Sequence, residues 1–217
     1  MGKEVTPYEV ARARAGRITS SRIAVISTGN YAHWNKLAEI LRKAEPHPIG
    51  QRSGVAALDW GHKHESMACG EFWFRHPEFH VEHEDFRYWH DPRDAVHWQL
   101  CGASPDRTLY QKTELVGVVE AKCPYNKDVH RQYWSDGVLP EEYAPQVYWQ
   151  MIVTDAPRSY FLSFDPRAIA DRRYWELLVE RSPAYEAELM AKVDRFIGGY
   201  LAGEEFKPPR HNYAEIF

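Results

Sequence analysis

The segment Val116-Gly117-Val118-Val119-Glu120-Ala121-Lys122 joins a β-branched run to an acid and a base at its end. Such residues suit a pleated, buried strand. Strand side chains alternate faces, so Glu120 and Lys122 point the same way. Ser104-Pro105-Asp106 lies shortly upstream and places Asp106 one strand earlier, where it meets that face across a hairpin. Two carboxylates aimed at one point repel each other unless a cation intervenes. A hard divalent ion with oxygen ligands resolves this. Lys122 then orients or deprotonates an attacking water, or offsets charge on a phosphate.

The rest of the chain frames that hairpin. Thr6-Pro7 starts a short helix to Arg14, a cap followed by proline in the first turn. Thr19 or Ser20 caps a second helix to about Ser27, which Gly29 ends. Tyr31 to Lys43 is amphipathic, with Trp34, Leu37, Ile40 and Leu41 on one side. Pro46, Pro48 and Gly50 enforce a loop. A long helix is expected from Val55 to Phe74, with Leu58, Glu65, Ala68 and Phe72 near one face. His80 to Trp98 reads as two strands about the turn Asp91-Pro92-Arg93-Asp94, followed by a short strand ending at Ala103.

Beyond the hairpin, helices are expected over Tyr125–Ser135 and from Pro140 to Thr154, with a strand over Arg158–Phe164. A long helix follows from Asp171 to about Leu201, interrupted near Ser182-Pro183, and then an extended tail containing Lys207-Pro208-Pro209-Arg210. The order predicts an α/β (α+β) fold, a central mixed β-sheet flanked by helices.

With 217 residues the chain suffices for one domain with a sizeable core. The net charge of -4 argues against a highly basic DNA-coating protein but allows a local basic groove, because local potential steers phosphates. Arg12, Arg14, Arg17 and Arg22 are candidates for it. Cys69, Cys101 and Cys123 have no paired spacing, which argues against a disulfide framework or a thiolate zinc site and suits a reducing cytosol. No apolar run reaches the length of a membrane span, and no signal-peptide core is present, so a cytoplasmic location is expected. Among the histidines, His76, His80, His83 and His90 invite a metal reading. His80 and His83 lie three apart on an expected strand and face opposite sides, and His62 and His64 diverge on a helix, so surface or packing roles are favoured.

Pro105-Asp106 followed by Glu120-Ala121-Lys122 resembles the PD-(D/E)XK nuclease signature. Four further blocks surround it. They are Arg14-Ala15-Gly16-Arg17-Ile18-Thr19-Ser20-Ser21, Leu58-Asp59-Trp60-Gly61-His62-Lys63-His64-Glu65, Ala144-Pro145-Gln146-Val147-Tyr148-Trp149-Gln150-Met151, and Tyr160-Phe161-Leu162-Ser163-Phe164-Asp165-Pro166-Arg167. Cys123-Pro124 follows directly on Lys122. In this order and spacing the set resembles the phage lambda exonuclease, or YqaJ-like viral recombinase, family from about Arg12 to Arg167.

The resemblance implies a restriction-endonuclease-like core within a single nuclease domain, core about 12–167, with a C-terminal helix and tail over 171–217. It implies a metal-dependent DNA exonuclease acting 5′ to 3′ on duplex ends in phage-type recombination. Asp106, Glu120 and the Ala121 carbonyl would hold Mg2+ (or Mn2+), with Glu65 taking a second ion or a bound water. Lys122 and Gln146 would assist catalysis. Arg14, Ser21 and Ser104 would form a pocket for a terminal 5′-phosphate, with Arg17 and Ser20 close enough to exchange roles with Arg14 and Ser21. Arginine grips phosphate bidentately, and a hydroxyl at a helix start adds a donor where the dipole favours anions. A single-strand annealing protein as partner and a ring-shaped homotrimer around DNA are implied in the same way. Two alternatives are an endonuclease on the same core and a non-catalytic DNA-binding accessory protein. The intact Asp106, Glu120 and Lys122 set speaks against the second.

Overall fold

A computed structural model describes residues 6–46, 55–83 and 86–207. The expected loop residues Pro48 and Gly50 and the tail from residue 208 lie outside the described residues. The helices α1 (Pro7–Arg14), α2 (Ile23–Ser27), α3 (Tyr31–Lys43) and α4 (Ala56–Arg75) precede the sheet. Local chemistry sets their ends. Thr6 and Glu9 form a reciprocal capping box on α1, and the Asn30 side chain accepts from the Ala32 and His33 amides to start α3. α2 begins later than expected. Its first turn is preceded by a backbone turn in which the Thr19 carbonyl accepts from Arg22 and Ile23, and no side chain caps it.

The central sheet runs in the order β1 (His80–Glu82), β4 (Arg107–Gln111), β5 (Glu114–Lys122), β6 (Arg158–Phe164), β7 (Tyr174–Glu180). β5 and β6 are parallel and every other neighbouring pair is antiparallel. The parallel pair needs a long crossover. α6 (Lys127–Asp136) and α7 (Ala144–Thr154) supply it. A small two-stranded sheet pairs β2 (Arg87–Tyr88) with β3 (Gly102–Ala103), and Ile18 bridges beside it to Cys101.

Two expected elements are corrected. Residues 95–98 belong to a helix, α5 (Ala95–Leu100), and not to a strand. Asp94 decides this, because its side chain accepts from the His97 amide at 3.2 Å and caps the first turn. Residues 174–180 are the edge strand β7 and not part of a long helix. All seven pair with β6, from Arg158 opposite Glu180 to Phe164 opposite Tyr174. Ser182-Pro183 therefore starts α8 (Pro183–Ala202) and does not interrupt a helix. Ser182 caps it, and proline at the first position forfeits no bond. α7 also starts at Ala144, after a turn at Pro140–Tyr143.

The sheet is covered on both faces. On one side Ala68, Cys69 and Phe72 of α4 pack on Val119, Ala121, Tyr160 and Leu162. On the other, Val147 and Met151 of α7 pack on Val118 and Phe161. Trp34, Phe196, Ile23 and Trp149 tie α3, α8, α2 and α7 into a third cluster. Ile40 and Leu58, expected on buried faces, are 41% and 53% exposed.

Candidate active site

Glu120 and Lys122 leave β5 on the face that α7 covers, while Val119 and Ala121 turn toward α4, as strand alternation requires. Four side chains hold one another there. Lys122 Nζ donates to Glu120 Oε1 and, at 3.3 Å, to Gln146 Oε1. Gln146 Nε2 donates to Glu120 Oε1 at 2.5 Å, and Gln150 Nε2 donates to Glu120 Oε2 at 2.5 Å. Both oxygens of a carboxylate that is only 2% exposed are thereby satisfied. The Tyr143 ring lies 4.9 Å from Lys122 Nζ.

Asp106 immediately precedes β4. The β4–β5 register sets Arg107 opposite Val119, so Asp106 comes beside Glu120. Its amide donates to the Val119 carbonyl at 2.9 Å, and its Oδ2 accepts from the Ala121 amide at 2.7 Å. Burial and then the charges of Glu120 and Glu65 push its carboxyl well above the usual range, against the Ala121 amide and Lys122. Burial pulls the Lys122 ammonium down, but the Glu120 carboxylate outweighs it, and the net shift is upward.

Asp106, Glu120, Ala121, Lys122, Gln146 and Glu65 all line one cleft of about 460 Å3. Arg14, Ser21 and Ser104 line the same cleft. Arg14 donates to Ser104 Oγ at 3.1 Å, although 90 residues separate the two. Burial, and then the neighbouring Arg22, lower the Arg14 pKa, so its charge is held where an anion would relieve it. Ser21 is exposed and sits 3.3 Å from Thr19 Oγ1. Arg17 does not line the cleft. Its guanidinium donates to the Ala13 carbonyl and lies over Tyr88.

Two further groups matter here: Ser20, expected only as able to exchange roles with Ser21, and Gln150, which no expectation covered. Ser20 Oγ is buried in the cleft wall without a hydrogen-bond partner, a donor available to a ligand. Gln150 was legible in principle, since Gln146 and Gln150 are four apart on one helix face. Cys123 also lines the cleft, but burial pushes its thiol up to about 12, so it is neither thiolate nucleophile nor ready metal ligand at neutral pH. Of the histidines, His62 lines the cleft, while His76 lies elsewhere and bonds Glu78 and Glu176.

Among the described residues no three His, Cys, Asp or Glu side chains group as a ready-made metal site. Asp106 and Glu120, with Glu65 on the cleft wall, are the carboxylates that could hold a cation there. Burial first, and then the Glu120 and Glu65 charges, raise the Asp106 carboxyl, and a cation beside it would offset both effects. That all-oxygen set fits a hard cation that keeps several waters.

Residues 10–157 match the YqaJ-like viral recombinase domain. The chain belongs to the YqaJ-like viral recombinase family. Its fold resembles the alkaline exonuclease LHK-Exo of Laribacter hongkongensis, with a TM-score of 0.75 and 27% identity over 90% of this chain and 93% of that one. LHK-Exo in complex with dAMP matches equally well. A phage-related exonuclease from Haemophilus somnus 129PT shares the fold at a TM-score of 0.58 and 10% identity, over 88% of this chain and 96% of that one. No curated protein matches at a significant level. Family and structural likeness together bear out the fold expected from sequence, a mixed sheet flanked by helices that the LHK-Exo structure shares. No helix among the described residues is long and apolar enough to cross a membrane.

Proposed function

We propose that the protein is a metal-dependent DNA exonuclease that hydrolyses duplex DNA from a 5′-phosphorylated end, 5′ to 3′. One observation carries this reading. The Arg14–Ser104 pair and the Asp106–Glu120–Lys122 group open into the same cleft, so an anion-binding corner adjoins an acid and base centre. A nuclease that cuts internally has no use for a terminal-phosphate pocket. The likeness to an alkaline exonuclease, and to its complex with dAMP, supports the exonuclease part of this reading.

Each residue has a distinct task. Arg14, Ser104 and Ser21 bind the terminal phosphate, with Ser20 Oγ as a further donor. Asp106, Glu120 and the Ala121 carbonyl would hold Mg2+ (Mn2+ being the alternative), and Glu65 would hold a second ion or a water. When bound, that ion polarises the scissile phosphate and lowers the pKa of a water molecule. Lys122, already drawn to Glu120, places its positive charge where the phosphorane oxygens gain charge, and positions the attacking water. Gln146 orients Lys122 and Glu120 relative to each other. A cytoplasmic location, a single-strand annealing partner and a homotrimer belong to this proposal through the family and rest on no feature of the fold.

The test uses linear duplex labelled at its 5′-phosphate, incubated in Mg2+ and in EDTA. Release of the label as a mononucleotide at the earliest times, in Mg2+ alone, is expected. Release of the 3′-terminal nucleotide first, or equal hydrolysis in EDTA, contradicts the proposal.

A further inference from the structure

A second cavity, of about 740 Å3, lies between α6 and the connection from β6 to β7. Lys127, Arg131, Arg167 and Arg172 line it, together with Trp134. Asp165 is the one carboxylate among its lining residues, and it is committed to Arg167 through bonds of 2.8 and 2.9 Å. Arg131 meets Asp128 at 3.1 Å with both side chains largely exposed, a contact worth little in water. The chain as a whole carries a net charge of -4, so four cations around one cavity reverse the local sign. Local potential, and not net charge, gathers phosphates.

Hydrogen bonds tie the frame of this cavity together. Buried His130 of α6 bonds Ser163 Oγ of β6 at 2.7 Å and the Arg172 carbonyl at 2.7 Å, which pins helix, strand and loop together. Trp134 is 37% exposed and lines the cavity. The cavity also adjoins the catalytic cleft. β5 and β6 are parallel, the cleft opens at the end of β5, and the cavity opens at the end of β6. The wall between them is Pro124-Tyr125, whose carbonyls accept from Arg167 at 3.2 and 2.9 Å. The other side of that guanidinium lies 4.2 Å from the Trp60 ring centroid.

We propose that this cavity is a second nucleic-acid contact, which holds the phosphate backbone of a DNA strand beyond the cleft while Trp134 stacks on a base. The choice of DNA rests on the nuclease reading above. The volume exceeds what one phosphate fills, and cations interleaved with an aromatic face suit a polynucleotide strand.

The test is the affinity of the full chain for a long single-stranded oligonucleotide, read by fluorescence anisotropy across a salt series in EDTA. The triple variant Lys127→Ala/Arg131→Ala/Arg172→Ala alters exposed side chains only, and circular dichroism verifies its fold. Losing three phosphate contacts makes the plot of log K against log salt shallower by about 2 and raises Kd roughly tenfold. Trp134→Ala weakens binding without changing the slope, and the triple variant's loss grows with oligonucleotide length. An unchanged slope and Kd overturn the proposal. So does uptake of dAMP or inorganic phosphate by this cavity as tightly as the oligonucleotide, since it would then be a small-anion site. Robust Mg2+-dependent hydrolysis with an unmoved slope sinks this cavity and spares the nuclease reading. A shallower slope in a protein that hydrolyses nothing does the reverse.

Discussion

Replacing Gln150 with leucine removes one of the three donors that hold Glu120. Gln150 is fully buried, and its Nε2 lies 2.5 Å from Glu120 Oε2. Hydrogen bonds to charged groups contribute about 1.5–3 kcal/mol, and the abandoned oxygen has no solvent to replace the donor. One term works the other way. Gln150 Oε1 is itself buried without a partner, and leucine removes that cost. The net loss should therefore fall at the lower end, about 1.5–2 kcal/mol. For a chain of this size that is a fall in Tm of about 3–8 °C. Glu120 would also be freed to rotate, and loss of a group that orients a metal ligand typically costs about 10–100-fold in metal affinity or activity. Thermal melts in EDTA and hydrolysis of linear duplex across a Mg2+ series measure the two effects. Gln150→Glu should be worse than leucine, because it sets a second carboxylate against Glu120. If Gln150→Leu melts with the parent and hydrolyses DNA at the parental rate and Mg2+ dependence, the argument that Gln150 positions Glu120 is wrong.

Further expectations concern the acid pair and the anion corner. Asp106→Ala and Lys122→Ala should abolish hydrolysis while far-UV circular dichroism keeps the parental spectrum; full activity in either would remove that residue from the site. Asp106 titrates above its unfolded value of 3.8, so its contribution to stability is greatest at low pH and is lost as pH rises through the folded pKa. Asp106→Asn should therefore flatten the fall in metal-free stability over that rise, and Mg2+ should raise the Tm of the parent but not of the variant; parallel pH–Tm curves would contradict this. Arg14→Ala should erase most of the discrimination between 5′-phosphate and 5′-hydroxyl ends, seen as a rise in KM for the phosphorylated end toward that of the hydroxyl end.

The hairpin that carries the acid pair was legible because strand alternation is a local property. Val116–Lys122 reads as a strand on its own composition, and the face shared by Glu120 and Lys122 follows from spacing alone. α3 was equally plain from its apolar stripe, in which Trp34, Leu37 and Leu41 are buried. β7 was not. Tyr174-Trp175-Glu176-Leu177-Leu178-Val179-Glu180 carries glutamates and leucines that also suit a helix, and only its seven-residue pairing with β6 makes it a strand. α5 was not legible because Asp94, its cap, closes the turn-like run Asp91-Pro92-Arg93-Asp94. The reach of Arg14 to Ser104 across 90 residues depends on Ile18 bridging to Cys101, a pairing that no local pattern announces. That Asp106, Glu120 and Lys122 meet was readable from spacing; that Arg14, Ser21, Ser104, Glu65 and Gln146 share their cleft came from family resemblance, and the fold brings all of them together.

The central claim is that this cleft works from an end. The direct measurement gives one preparation, in Mg2+, a linear duplex with 5′-phosphates, the same duplex with 5′-hydroxyls, and a covalently closed circle of the same sequence. The account predicts rapid loss of the phosphorylated linear DNA, slower loss of the hydroxyl form, and a circle that stays closed. Nicking or linearisation of the circle at a rate matching loss of the linear substrates would contradict it.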